Sequence, residues 1–240
     1  MPQNPVVTIV CNCKNYVIAN KPAGVFSQMP DRNSWIQKHG VLKPPVLLDM
    51  VRSSAHTMNL EAGGWRTVHR LDTNVTGGVL IAKNKQAAAL FSRYLRKGGN
   101  NGNLLIRKYI ALVDGETDCL PARGVLEQDG MKSLFCKIDS RALMLQLCTG
   151  KKHQIRLQLS KVLGLPISND LKYGGVPVPD AGRQIALHSA LVQTKVGLQC
   201  HKHFIPVVSG RDSLWANYVD QDGHFKPSVQ HALLENWDLS

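Results

Sequence analysis

Three stretches of this chain carry side chains that could do chemistry at the spacing they have. His69-Arg70-Leu71-Asp72-Thr73-Asn74-Val75-Thr76-Gly77-Gly78 puts one carboxylate in a polar, glycine-terminated loop just ahead of an apolar run. Loops fixed by a rigid strand are frequent seats of catalytic groups. Arg107-Lys108-Tyr109-Ile110-Ala111-Leu112-Val113 sets a phenol behind two cations at the head of an apolar strand. Such a ring could stack on a nucleobase while phosphates are held nearby. Thr149-Gly150-Lys151-Lys152-His153-Gln154-Ile155-Arg156 is a glycine turn feeding a basic helix start, which offers backbone N–H groups and cations to an anion. Each stretch also has an ordinary reading, and spacing alone favours it. Asp72 could cap a turn with Arg70 as a surface partner. Tyr109 could be a strand aromatic in the core. The third stretch could be a solvated helix start.

The charge around these stretches is uneven. The chain has 240 residues, with 29 Lys and Arg against 17 Asp and Glu, a formal net charge of +12. That surplus implies a polyanionic partner or an acidic membrane surface and says nothing about fold. From Arg66 to Lys108 there are nine basic residues, and Asp72 is the one acid. From Arg141 to Lys172 there are six basic residues, and the one acid is Asp170. A charge run is usually a solvated face. A lone carboxylate inside such a run is less ordinary, because fixed cations favour its charged form and also attract phosphates.

The elements that must position these residues read as mixed structure without repeats. Short strands are expected at Val6 to Val10, Tyr16 to Ala19, Val79 to Ala82, Tyr109 to Val113, Ser133 to Ile138, Ala142 to Cys148 and Leu187 to Val192. Asn84 caps a helix whose apolar positions Ala87, Leu90, Phe91, Tyr94 and Leu95 share a face, followed by a flexible tip from Lys97 to Gly102. Further helices are expected at Val46 to Val51, from Ile155 to Leu163, and at Val229 to Leu234. Strands with intervening helices but no regular βαβ alternation predict an α+β fold, a mixed and mainly antiparallel sheet flanked by helices, in one domain over residues 1–240. No run approaches the length of a membrane-spanning helix. The N-terminus lacks the pattern of a secretory signal. Six cysteines without a C-x-x-C pair point to a reducing, intracellular compartment. Cys11-Asn-Cys13 and His201-Lys-His203 could be imagined as a split metal site, but neither spacing matches a structural zinc pattern, so no metal is expected.

Taken together, the three stretches resemble the RluA family of pseudouridine synthases. The family's H-R-L-D-x-x-T-S-G appears as His69-Arg70-Leu71-Asp72 with Val75-Thr76-Gly77. Its K-x-Y-x-A-L-V matches Arg107 to Val113, and its T-G-R-T-H-Q-I-R matches Thr149 to Arg156. The sequel P-I-x-G-D-x-x-Y-G appears as Pro166 to Gly174, A-L-H-A as Ala186 to Ser189, and Val17 to Gly24 resembles the opening I-N-K-P-A-G-V. The motifs come in the family's order over residues 6 to 195. Four places depart from the pattern: Thr76 replaces Ser, Lys151-Lys152 replace Arg-Thr, Gln158 stands where His is common, and Asn169 replaces Gly.

The resemblance implies conversion of uridine in RNA to pseudouridine, without metal, nucleotide or redox cofactor. It implies Asp72 as the catalytic carboxylate, acting at C1′ or C2′ of the ribose, with Arg156 paired to it and Tyr109 stacked on the base and active in proton transfer from C5. Arg70 would fill the space of the extruded nucleotide, since chemistry on a base needs that base out of its helix. Lys151, Lys152, His153 and Gln154 would bind substrate. No S4 RNA-binding module is expected, and the chain would act as a monomer away from membranes. Within the family, its shape is similar to fungal mitochondrial enzymes acting on large-subunit ribosomal RNA, with transfer RNA and a cytoplasmic setting as the alternative. Two other classes stand beside this reading. A non-catalytic RNA-binding module would use the basic windows alone. A two-carboxylate glycosidase would need Asp170 as the partner of Asp72.

Overall fold

The computed structural model describes residues 5–96, 103–208 and 214–235. The tip expected from Lys97 to Gly102 lies outside them. The first half runs β1 (Thr8–Asn12), β2 (Tyr16–Lys21), α1 (Arg32–His39), α2 (Leu47–Thr57), β3 (Arg66–Thr67), β4 (Thr76–Ala82) and α3 (Lys85–Arg96). Then follow β5 (Leu104–Leu112), β6 (Arg123–Gln128), β7 (Met131–Lys137), β8 (Ala142–Leu147) and α4 (Gln154–Lys161). The chain closes with β9 (Leu187–Val196), β10 (Gln199–Phe204) and α5 (Pro227–Leu234). The strands form one ten-stranded sheet in the order β1-β2-β4-β9-β5-β8-β7-β6, with β3 beside β4 and β10 beside β9. Among the named strands only β4 and β9 pair in parallel. The fold is the mixed, mainly antiparallel α+β sheet that the sequence implies.

Period-two alternation distributes the core over both faces. Val17, Ala19, Val79 and Ile81 face one apolar cluster, which also takes in Tyr109, Leu145, Ile155, Leu159 and Leu187. Tyr16, Ile18, Leu80 and Ala82 face the other, under Phe91 and Tyr94 of α3. Asn84 caps α3 as expected, its Oδ1 accepting from Ala87 N at 2.8 Å. Besides the two-residue β3, three elements were not expected. Helix α1 buries none of its residues, and β10 (Gln-Cys-His-Lys-His-Phe) is a polar edge strand. Neither leaves an apolar period to read. The third, β6, is an edge strand that alternates only weakly.

The parallel β4–β9 contact brings together the two chain segments that flank the chemistry. It is two residues long, pairing Thr76 with His188 and Gly77 with Ser189. Gly77 has φ 110°, and a Cβ there would sit 2.5 Å from both N and O of Ser189, so only glycine fits. His188 is fully buried. Its Nε2 donates to Ile205 O at 3.0 Å, which leaves Nδ1 to accept from Thr76 Oγ1 at 2.8 Å. The Thr that replaces the usual Ser thus keeps a hydroxyl that is in use.

Burial pushes His188 down to about 4 from an ordinary 6.5, and burial also lowers His69, His153 and His203. A lowered folded-state value means that the unfolded chain takes the proton first. The stability is complete above pH about 6.5 and drains away as pH falls toward 4. His188 alone should remove on the order of 3 kcal/mol across that window, at about 1.4 kcal/mol per unit. Urea unfolding between neutral pH and pH about 4 should show this loss. His188→Gln, which can still accept and donate, should flatten the slope; an unchanged slope would assign the acid sensitivity elsewhere.

Candidate active site

The loop from β3 to β4 is clamped residue by residue. Ser27 Oγ donates to Leu71 O at 2.7 Å and accepts from Leu71 N at 2.9 Å. Thr73 O receives Gly24 N at 2.9 Å and Lys21 Nζ at 3.0 Å. Ile185 N donates to Asn74 O at 3.1 Å. Lys21 has no exposed surface, and its ammonium also donates to Pro22 O and Val25 O. Burial pushes this lysine down to about 7, and the charge of Asp72 works the other way. These bonds leave the Asp72 side chain projecting from a fixed backbone.

Opposite the loop stands the first turn of α4. His153 precedes it in the left-handed conformation at φ 56°, and Gln154 braces the turn. Gln154 Oε1 accepts from Thr149 Oγ1 and Lys151 N, and its Nε2 donates to Lys132 O and Ser133 Oγ. One turn on, Arg156 spreads its guanidinium between two acids. Nε and Nη2 donate to the two oxygens of Asp170 at 2.6 and 2.7 Å, and Nη1 donates to Asp72 Oδ2 at 2.9 Å. The Tyr173 ring lies 4.9 Å from its Cζ and receives the cation on its face. The two acids raise Arg156 against the cost of its burial. Asp72 Oδ1 accepts no hydrogen bond among the described residues; its neighbour is His153 Nε2 at 3.7 Å. His153 is lowered by burial, Asp72 opposing, and its Nδ1 is held by Tyr173 OH at 2.6 Å.

Asp72, Arg70, Tyr109, His153, Gln154 and Arg156 border one small pocket of about 60 Å³. Its walls are otherwise apolar, from Leu71, Val75, Leu147 and Leu187. Tyr109 belongs to the core cluster and borders the pocket at once. Burial pushes its hydroxyl up, with the nearby Arg107 charge and Ser189 hydroxyl acting against that. Arg70, Lys151 and Lys152 are exposed. Gln154, expected to bind substrate, borders the pocket but is 3% exposed, and both ends of its amide are taken up inside the protein. Asp170 cannot serve a two-carboxylate glycosidase, because its side chain is 1% exposed and Arg156 occupies both its oxygens.

Asp170 is the residue that sequence reasoning undervalued, although its isolation in a basic window was a signal. Lys21, in the Lys-Pro-Ala-Gly turn, carries no signal of its burial in the sequence. Two more departures are explained by geometry. Asn169 has φ 65°, which Asn tolerates nearly as well as Gly. Gln158 is fully buried, bonded to Ser133 Oγ, Leu126 O and Met131 O. On the other face of the sheet, ligand atoms of Cys11, Cys13 and His203 lie within 4.8 Å of one another. Three donors of the type a soft ion takes converge there. The two thiols are in contact, 3.1 Å apart, and His203 Nε2 bonds Tyr16 OH at 2.9 Å.

A family model described as RNA pseudouridylate synthase matches residues 15–161. The chain is 45% identical to the 21S rRNA pseudouridine(2819) synthase of Kluyveromyces lactis over 93% of this chain and 76% of that protein. It is 42% identical to the 21S rRNA pseudouridine(2819) synthase of Saccharomyces cerevisiae over 97% of each. Among solved structures, human RNA pseudouridylate synthase domain containing 1 superposes with a TM-score of 0.63 at 19% identity over 100% of both chains. Human RNA pseudouridylate synthase domain containing 4 gives 0.60 at 21%, over 82% of this chain and 87% of that one. These two structural likenesses bear on the fold.

The two acids around Arg156 should differ in their weight on stability. The Asp170 side chain is 1% exposed and that of Asp72 is 17% exposed. Asp170→Asn leaves a buried guanidinium short of its bidentate partner and should cost on the order of 3–5 kcal/mol. Asp72→Asn should cost clearly less. Urea denaturation of the two variants beside the parent checks this, and equal losses would contradict the asymmetry.

Proposed function

The chain belongs to the RNA pseudouridylate synthase family, and from that membership we propose that it converts one uridine of mitochondrial large-subunit ribosomal RNA to pseudouridine. The identity of 42–45% to fungal 21S rRNA enzymes over most of their length supports this target and a mitochondrial setting. The observation that carries the chemistry is a carboxylate, Asp72, with one oxygen fixed by Arg156 and the other open at a pocket bordered by Tyr109. In the reaction the N1–C1′ bond breaks, the uracil turns, and a C5–C1′ bond forms. The C5 proton leaves and N1 regains one, so the composition of the RNA is unchanged.

In this reading Asp72 Oδ1 is the reacting atom, at C1′ or at the C2′ proton. Arg156 aims the carboxylate and is itself aimed by Asp170. Tyr109 stacks on the uracil. Its raised value keeps the phenol protonated at neutral pH, so the hydroxyl would relay the C5 proton rather than abstract it as a phenolate. Arg70 fills the place of the extruded nucleotide, and Lys151 and Lys152 meet phosphates. The chain works as a single-domain monomer.

Asp72→Asn should abolish pseudouridine formation while RNA affinity stays near the parent value; turnover by this variant would remove the assignment. Tyr109→Phe should bind RNA normally and turn over slowly. Tyr109→Ala should also weaken binding by roughly 1–3 kcal/mol, the cost of a lost base–aromatic stack. Parent-level turnover by both would leave Tyr109 a packing residue. Mapping pseudouridines in cells lacking this chain tests the target: one position in mitochondrial large-subunit RNA should revert to uridine. Loss at a transfer RNA position would move the assignment there.

A further inference from the structure

A second cavity, of about 430 Å³, adjoins the Asp72 pocket and shares Arg70 with it. His69, Arg107 and the Thr149–Gly150 turn line it, with Val68 and Leu95 as apolar wall. No carboxylate lines it among the described residues, and none lies within salt-bridge distance of Arg107 there. Arg107 is nevertheless only 7% exposed. Its guanidinium lies against the turn, where a Cβ added to Gly150 would meet Nη2 at 3.6 Å. A buried cation without an anion is costly, and native structures seldom keep one without a use.

The hydrogen-bond ledger of this corner is also open. Arg107 Nε is a buried donor with no partner among the described residues. His69 Nε2 accepts from Leu80 N at 3.0 Å, so it carries no proton. Burial and the neighbouring Arg107 hold the imidazole neutral. A neutral ring with Nε2 bare has its proton on Nδ1. That Nδ1–H is the second buried donor without a partner. Two unpartnered N–H groups and a buried positive charge thus belong to residues that line one cavity, with a second arginine at its edge. An acceptor-only anion satisfies all of them together, and a neutral or cationic ligand does not.

We propose that His69 Nδ1–H and Arg107 form a binding subsite for a backbone phosphate of the RNA, next to the nucleotide that enters the Asp72 pocket. The proposal rests on the RNA-modifying function above and adds where the strand is gripped. It also gives His69 a positioning role beyond its place in the loop. The glycine at 150 keeps the turn free of a side chain where the phosphate approaches. Arg70, at the boundary of the two cavities, separates the extruded nucleoside from its own backbone.

Two measurements on the full chain test it. In the first, inorganic phosphate is titrated while the side-chain nitrogen resonances of the histidines are followed. His69 Nδ1 should shift saturably, and in Arg107→Gln the response should weaken by about tenfold or more, as expected for a hydrogen bond to a charged group. The second uses a short RNA hairpin containing the target uridine, with one phosphate at a time replaced by an uncharged methylphosphonate. One position flanking the uridine should cost the parent about tenfold in affinity and cost Arg107→Gln almost nothing, while the other positions stay additive. Arg107→Lys keeps the charge and should retain part of that sensitivity, which covers a failure of the Gln variant to fold. The proposal is overturned if parent and variants share one sensitivity profile at every position. A phosphate shift without coupling to any RNA position also overturns it, since the subsite then serves a free anion. Both measurements read binding, so a chain that shows the coupling but forms no pseudouridine keeps the subsite and loses the proposed function.

Discussion

Arg156, nine-tenths buried between Asp72 and Asp170, is the interaction around which the rest of the structure is arranged. Taking three charges out of water is expensive, and mutual attraction repays it only when every donor and acceptor is placed. Here the placement is complete on the Asp170 side, where two parallel bonds fix the guanidinium plane. On the Asp72 side it is deliberately incomplete, one oxygen bonded and one open. The fork therefore works as a ruler: Asp170 orients Arg156, and Arg156 orients Asp72. Tyr173 finishes the arrangement, receiving the guanidinium on its ring and holding His153 with its hydroxyl.

That ruler measures accurately only if its ends cannot drift. Asp72 hangs from a loop bonded to Ser27, Gly24, Lys21 and Ile185, which adjoin the strands on either side of β4. Asp170 follows a segment whose Asn169 takes a left-handed backbone and donates to Gly182 O and Gln184 O. The strands beneath meet in the short parallel contact of Gly77 with Ser189, where no side chain could be tolerated. The Thr76–His188 bond beside it fixes the same crossing from the interior. Stiffness at the crossing is what turns two distant sequence segments into one site.

The central strands and both flanking helices α3 and α4 were legible, because each buries an apolar face and so leaves a period. Edge strand β10 and helix α1 bury little, and a segment without a buried face has no pattern to detect. The same logic divides the site. Asp72, Tyr109 and Arg156 stand in motifs, and the structure joins them at one pocket. Gln154 stands in the same motif, yet its amide is consumed in holding the turn, and no spacing argument separates a residue that grips substrate from one that grips the residue beside it. Asp170 was visible as an anomaly of charge but not of function, since only the fold reveals that Arg156 reaches it. Cys11, Cys13 and His203 converge through strand pairing across β1, β2, β4, β9 and β10, a distance in sequence that no local pattern encodes.

The charge surplus shows the same limit from another side. A net charge of +12 suggests a broad grip on a polyanion. Several of those cations are spent inside the protein. Lys21 holds three backbone carbonyls, and Lys108 reaches Leu233 O at 2.8 Å and the carbonyl of Glu235, tying α5 to β5. Arg156 is neutralised by its two acids. Burial lowers Lys108 to about 8 as it does Lys21, which is the mark of a cation kept for its hydrogen bonds rather than for its field. The charge that remains for a strand of RNA near the pocket is local: Arg70, Lys151, Lys152 and Lys172 at the surface, and Arg107 buried among them. A small number of fixed cations around one open carboxylate is better suited to placing a single nucleotide than to binding a long polymer, because it concentrates the attraction where the chemistry must occur.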